Sequence, residues 1–219
     1  NTEMTRFTYF VSGIDVKAKR KTKTIVVLGD SIIDGVSSTF DADSGFINVF
    51  TRRLLSNHRA HNTSVLNASI SGNRLLGDAG VFSKNALARA DRDVFSQTNI
   101  THLILHEGIN DIGWPTFSFL LPNDTFNPVT SEELIAGMKQ LIIKAKIKGI
   151  KVYGGTLLPY KGAFYFTPEG ESVRQEVNHW IRTSNDFEKM RDDLTSDYLH
   201  PNDAGYAEMA NTINLNIFR

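Results

Sequence analysis

Five residues of this sequence have side chains or backbone suited to acyl transfer, and each stands where an apolar run gives way to small polar residues. Ser31 lies in LGDSIIDG, where a strand must turn sharply into a helix and can present a hydroxyl. Gly72 lies in ASISGN, and a glycine lets a bare backbone N–H point into a site without a side chain in the way. Asn110 in EGIND brings a side-chain amide, and Asp197 stands three residues ahead of His200 in DYLHPND. A histidine just before a helix, with a carboxylate able to reach its ring, is an oriented base. Together they supply a nucleophile, a base, its orienting acid and two donors for an oxyanion, which is the set that acyl transfer needs. Each has a plainer reading: Ser31 as the cap of the next helix, Gly72 as a turn glycine, Asn110 and Asp111 as turn caps, Asp197 and His200 as surface loop residues.

The elements that must carry these residues are legible as alternation. Short β-rich runs at residues 24–28, 64–67, 102–106 and 150–156 are each closed by Gly, Asn or Ser within a few residues. Between and after them lie helical patterns at 45–56, 85–97, 131–148, 168–183 and 203–214. The third is the clearest, with Ser131 as N-cap, an acidic first turn, an apolar stripe of Leu134, Met138, Leu141, Ile142 and Ala145, and an end at Lys148 and Gly149. Strand and helix in alternation imply parallel strands with helices on both faces, and ligands then bind beyond the carboxyl ends of the strands. The phenylalanine- and proline-containing loop at 116–130 is placed to form a pocket wall.

Composition narrows the function classes. The 219 residues are 41% hydrophobic and carry 24 basic against 24 acidic side chains, so no global charge favours nucleic acid or an anionic membrane. Without cysteine there is no thiol nucleophile, disulfide or thiolate metal site. No apolar run is long enough to span a bilayer. Sequons at Asn62, Asn67, Asn99 and Asn123 favour a secreted protein, with Asn67 expected to be buried at a strand end. No metal or cofactor is expected: the six histidines form no H-E-x-x-H, Arg52 stands where a calcium loop begun at Asp41 would need its glutamate, and neither dinucleotide nor P-loop glycine motif occurs. A G-x-S-x-G nucleophile elbow is absent as well.

The blocks GDS at Ser31, SGN at Gly72, GIND at Asn110 and DYLHPND at His200 resemble, in order and spacing, those of the SGNH (GDSL-type) hydrolase superfamily. The phrases GNRLLGDAG, ALARADRDVF, LHEGINDIG, VRQEVNHWIRTS and HPNDAGYAEMA resemble its secreted acylhydrolase subgroup found in xylanase gene clusters. The resemblance covers the chain from about Phe10 and implies a three-layer α/β/α flavodoxin-like domain around a parallel sheet of about five strands. It implies Ser31 as nucleophile, His200 as general acid and base, Asp197 as orienter, and an oxyanion hole from the Ser31 and Gly72 N–H groups and the Asn110 side chain. A serine-dependent carboxylic ester hydrolase is expected, acting on short-chain esters, with acetyl groups on plant polysaccharide as the example the subgroup suggests. Acyl transfer to a sugar, or a non-catalytic carbohydrate-binding relative, are the rivals. Asp30, Asn73, Asp111, Trp114 and Tyr160 are expected to contact substrate.

The catalytic domain is expected at 24–219, after a connecting segment at 1–23. Relatives of the subgroup often carry a β-rich module ahead of the phrase matching FVSGIDV, so truncation or processing upstream is an open expectation. Relatives also follow the RTS phrase with a hydrophobic strand. Here Asn185 runs almost directly into DFEKMRDDLTSDYLHP, so that fifth strand is expected to be missing from this sequence, through a deletion or, as the exposure of core surface by a deletion favours, because residues between Asn185 and Asp197 are left out of it.

Overall fold

The computed structural model describes residues 13–18, 21–58, 60–117, 126–184, 188–189 and 199–218. Five parallel strands form one sheet in the order β2-β1-β3-β4-β5. They are β1 (Lys23–Gly29), β2 (Thr63–Asn67), β3 (Ile100–His106), β4 (Lys151–Gly154) and β5 (Glu188–Lys189). The connecting helices are α1 (Ser31–Asp34), α2 (Phe46–Ser56), α3 (Ala86–Ala90), α4 (Ile109–Gly113), α5 (Ser131–Ile147), α6 (Pro168–Thr183) and α7 (Asp203–Thr212). α2 packs on α7, while α5 packs on α3 and α6, so helices flank the sheet. No described helix is long and apolar enough to cross a membrane.

The run Ile25-Val26-Val27-Leu28 is fully buried because β1 is hydrogen-bonded on both edges, facing Val65 and Leu66 of β2 on one side and His102 to Leu105 of β3 on the other. A strand with neighbours at both edges and helices on both faces has no solvent side, which is why it reads as a continuous apolar run. α2 shows the complementary pattern: Phe46, Phe50 and Leu54, four residues apart, are its buried face, with the Phe46 and Phe50 rings stacked and Phe50 tilted against Phe218.

The expected elements are present, with four differences that have physical reasons. The cap of α5 is Thr130, one residue earlier than Ser131, because Thr130 and Glu133 satisfy each other's backbone N–H in a reciprocal box. The helix expected over 85–97 is interrupted: α3 passes into a π-helical turn, Asp91–Phe95. Asn67 is exposed, not buried, because β2 is the sheet's edge. The fifth strand, expected to be missing, is kept as the pair Glu188–Lys189, which continues the sheet beside Tyr153 and Gly154. Charged residues suit this place, since an edge strand may be short and polar where a central one may not.

The chain leaves β1 to one side to form β2 and returns to the other to form β3. The order therefore reverses between β1 and β3, and a crevice opens there beyond their carboxyl ends. The ladder continues past β2, where Ala68 N–H bonds Val27 O and Ile70 N–H bonds Gly29 O, which clamps the start of the next loop against the end of β1.

Candidate active site

Three strand ends and one distant loop meet at that crevice. Asp30, not Ser31, is the cap of α1: its carboxylate accepts the Ile32 N–H at 2.9 Å, which leaves Ser31 as the first helical residue with its hydroxyl outside the cap. The Ser31 Oγ lies 2.7 Å from His200 Nε2 across 169 residues of sequence. His200 precedes α7, whose own cap is Asn202 taking the Gly205 N–H. Asp203 then fastens this end of α7 to the chain after α1 by accepting the Thr39 N–H, the Thr39 hydroxyl and the Ser44 hydroxyl at 2.6 to 2.9 Å. Those donors hold the Asp203 carboxyl below the usual carboxylate range. The Tyr206 hydroxyl adds a bond to Val36 O. A neutral imidazole this close to a hydroxyl can take its proton as the oxygen attacks.

Gly72 has φ +76°, and a Cβ there would stand 2.5 Å from the Phe82 ring. Only glycine fits both conditions. Asn110 donates one proton of its side-chain amide to Asn73 O at 2.8 Å, which ties the loop after β3 to the loop after β2. An amide nitrogen carries two protons, so the second can be offered to an oxyanion. The Asn110 carbonyl lies 3.4 Å from the Tyr165 hydroxyl. Asn110 is not the cap of its helix, which begins after Gly108.

The residues expected to contact substrate are placed differently. Asp30, Asn73 and Asp111 have no exposed surface, and their side chains serve the frame. Asn73 donates to Phe82 O and Lys84 O, while Asp111 accepts the Leu75 and Leu76 N–H groups at 2.7 and 2.9 Å. Tyr160 is equally buried, against the rings of Tyr165 and Phe166. Of the five, Trp114 alone is partly open, stacked between Phe82 and Phe126 with ring centroids at 5.1 and 5.6 Å. Asp197 lies outside the described residues, as do residues 118–125 of the loop after Trp114, the Asn123 sequon among them.

Beneath the crevice is a group of buried ionisable side chains that residue spacing does not reveal. Arg89 and Glu107 have fully buried side chains with an Nη2 to Oε1 distance of 3.6 Å. Burial pushes the Asp30 carboxyl up, opposed by His106, and pushes Glu107 well up, with Asp30 adding to the rise and Arg89 opposing it. Asp111 is pushed up to about 6 by burial, against the pull of the Leu76 and Leu75 N–H groups. Among the described residues, no hydrogen-bond partner meets either ring nitrogen of His106. No cluster of three metal-ligating side chains occurs among those residues.

Known proteins extend this picture. Residues 27–208 match the model of the GDSL-like lipase/acylhydrolase family. No curated protein matches the sequence. The fold is similar to that of an acetyl xylan esterase, with TM-score 0.65 at 18% identity over 86% of this chain and 96% of that one. It is also similar to an acetylxylan esterase from Geobacillus stearothermophilus, with TM-score 0.64 at 20% identity over 86% and 91%. An alpha/beta hydrolase enzyme from the metagenome of Lake Arreo, Spain, gives TM-score 0.65 at 21% identity over 86% and 92%.

Proposed function

Because the chain belongs to the GDSL-like lipase/acylhydrolase family, we propose that it is a serine esterase with Ser31 as its nucleophile and His200 as its base. The 2.7 Å approach of the Ser31 hydroxyl to His200 Nε2 carries this reading. Ser31 Oγ attacks the ester carbonyl while His200 accepts its proton, and the imidazolium then protonates the departing alcohol. Water, deprotonated by the same imidazole, attacks the acyl-enzyme and restores Ser31. The negative charge that forms twice on the carbonyl oxygen is met by the Ser31 and Gly72 N–H groups and the Asn110 amide. Asp197 is assigned to the ring of His200 from its position three residues upstream.

Replacing Ser31 by Ala is expected to lower kcat on p-nitrophenyl acetate by about 10⁴-fold or more. A serine-directed organophosphonate should label the wild-type enzyme once, on Ser31. Turnover that survives either treatment would sink the mechanism.

Short-chain acyl groups, acetyl on polysaccharide foremost, are the proposed substrates. Two fold neighbours named as acetyl xylan esterases support this. Rates on p-nitrophenyl esters from acetate to palmitate, beside acetylated xylan, test it, and an optimum at long chains would overturn it.

A further inference from the structure

Arg89 is fully buried, belongs to a phrase with no part in the mechanism so far, and spreads its guanidinium between both loops that carry oxyanion donors. Its Nη1 donates to Ala68 O at 2.5 Å and its Nε to Asn73 Oδ1 at 2.9 Å, so it grips the Gly72 turn at both ends. The backbone oxygen of that same Asn73 receives the Asn110 amide. On its far side, Nη2 faces Glu107, three residues before Asn110, at 3.6 Å. The charge is balanced by Asp93, whose Oδ2 is 3.2 Å from Nη1. A cation in so dry a place is costly unless paired, and its survival there calls for a reason.

We propose that Arg89 is a positioning residue that fixes the Gly72 N–H and the Asn110 amide in one mutual geometry, so that both meet the same oxyanion. The planar fork is suited to such bracing, since one rigid group holds two acceptors on the loop after β2 at once, Ala68 O and Asn73 Oδ1, whereas the point charge of a lysine cannot hold both directions. Donors misplaced by a fraction of an ångström lose transition-state stabilisation without losing ground-state binding. The assignment rests on Gly72 and Asn110 acting as the donors.

The test is a double-mutant cycle between Arg89→Lys and Asn110→Ala, with kcat and KM on p-nitrophenyl acetate and circular dichroism to establish folding. Loss of one oxyanion donor costs about 10²- to 10³-fold in kcat. Arg89→Lys is therefore expected to cost about tenfold in kcat with KM within about twofold, and to cost less than about threefold once Asn110 is already Ala, because two residues acting through one group are not additive. Should Arg89→Lys fail to fold, Asn73→Ala removes the acceptor of Nε with the charges still paired, and must show the same dependence on background. A kcat loss equal in both backgrounds would overturn the brace while leaving the donors in place. An Asn110→Ala enzyme with undiminished kcat would overturn the donor assignment and the brace with it. Ester turnover that survives Ser31→Ala separates either result from a failure of the esterase reading.

Discussion

Ser31 can face His200 because its neighbour does the structural work. Asp30 takes the capping role that a serine before a helix would otherwise fill, and the hydroxyl is left for the crevice. Gly72 is constrained from two directions, by its left-handed φ of +76° and by the Phe82 ring 2.5 Å from where a Cβ would stand. An alanine there adds the cost of left-handed backbone, about 1–2 kcal/mol, to an overpacking cost of about 1–3 kcal/mol. Gly72→Ala should therefore lower the unfolding free energy measured in urea by about 2–5 kcal/mol. With the Gly72 N–H as a proposed oxyanion donor, the same substitution should also lower kcat at least tenfold, more than it changes KM. A variant of wild-type stability would show that the turn relaxes freely.

At the scale of elements, helices begin where side chains satisfy their first N–H groups. Thr130 and Glu133 do this reciprocally for α5, and Thr167 does it for α6 by accepting the Gly170 N–H. Removing the α5 cap with Thr130→Ala should cost about 1 kcal/mol in chemical denaturation with kcat unchanged, because the box bonds Thr130 and Glu133 to each other and not to Ser31 or His200. A loss of activity at full occupancy of the folded state would contradict that separation. The apolar runs and their glycine or asparagine ends marked β1 to β4 and α2, α5, α6 and α7 to within a few residues. β5 escaped because two charged residues at an edge carry no apolar signal, and the break within residues 85–97 escaped because a π turn has nearly the helical period.

The whole molecule adds what no element contains. His102 is held between Tyr153 and Phe218, and burial, with Lys23 and Lys151 nearby, lowers it from 6.5 to about 4. Its folded pKa is depressed, so the unfolded chain binds more protons between pH 4 and 6.5, and stability is lost as pH falls through that window. Asp111 tilts the other way, raised from 3.8 to about 6, so its contribution is lost as pH rises. In the difference between wild type and His102→Phe the Asp111 part cancels. That difference should change by about 1.4 kcal/mol per pH unit inside the His102 window and level off above it. A flat difference would show that His102 titrates normally. By itself, the sequence determined which residues are chemically able, the alternation that makes a parallel sheet, and hence that the strand ends matter, since these depend on residue type and short period. Tertiary structure alone decided that Ser31 and His200 meet, that Asp30, Asn73, Asp111 and Tyr160 turn inward, and that Arg89 reaches both Ala68 and Asn73. Those contacts join groups far apart in the chain, and only the order β2-β1-β3-β4-β5 brings them within a hydrogen bond.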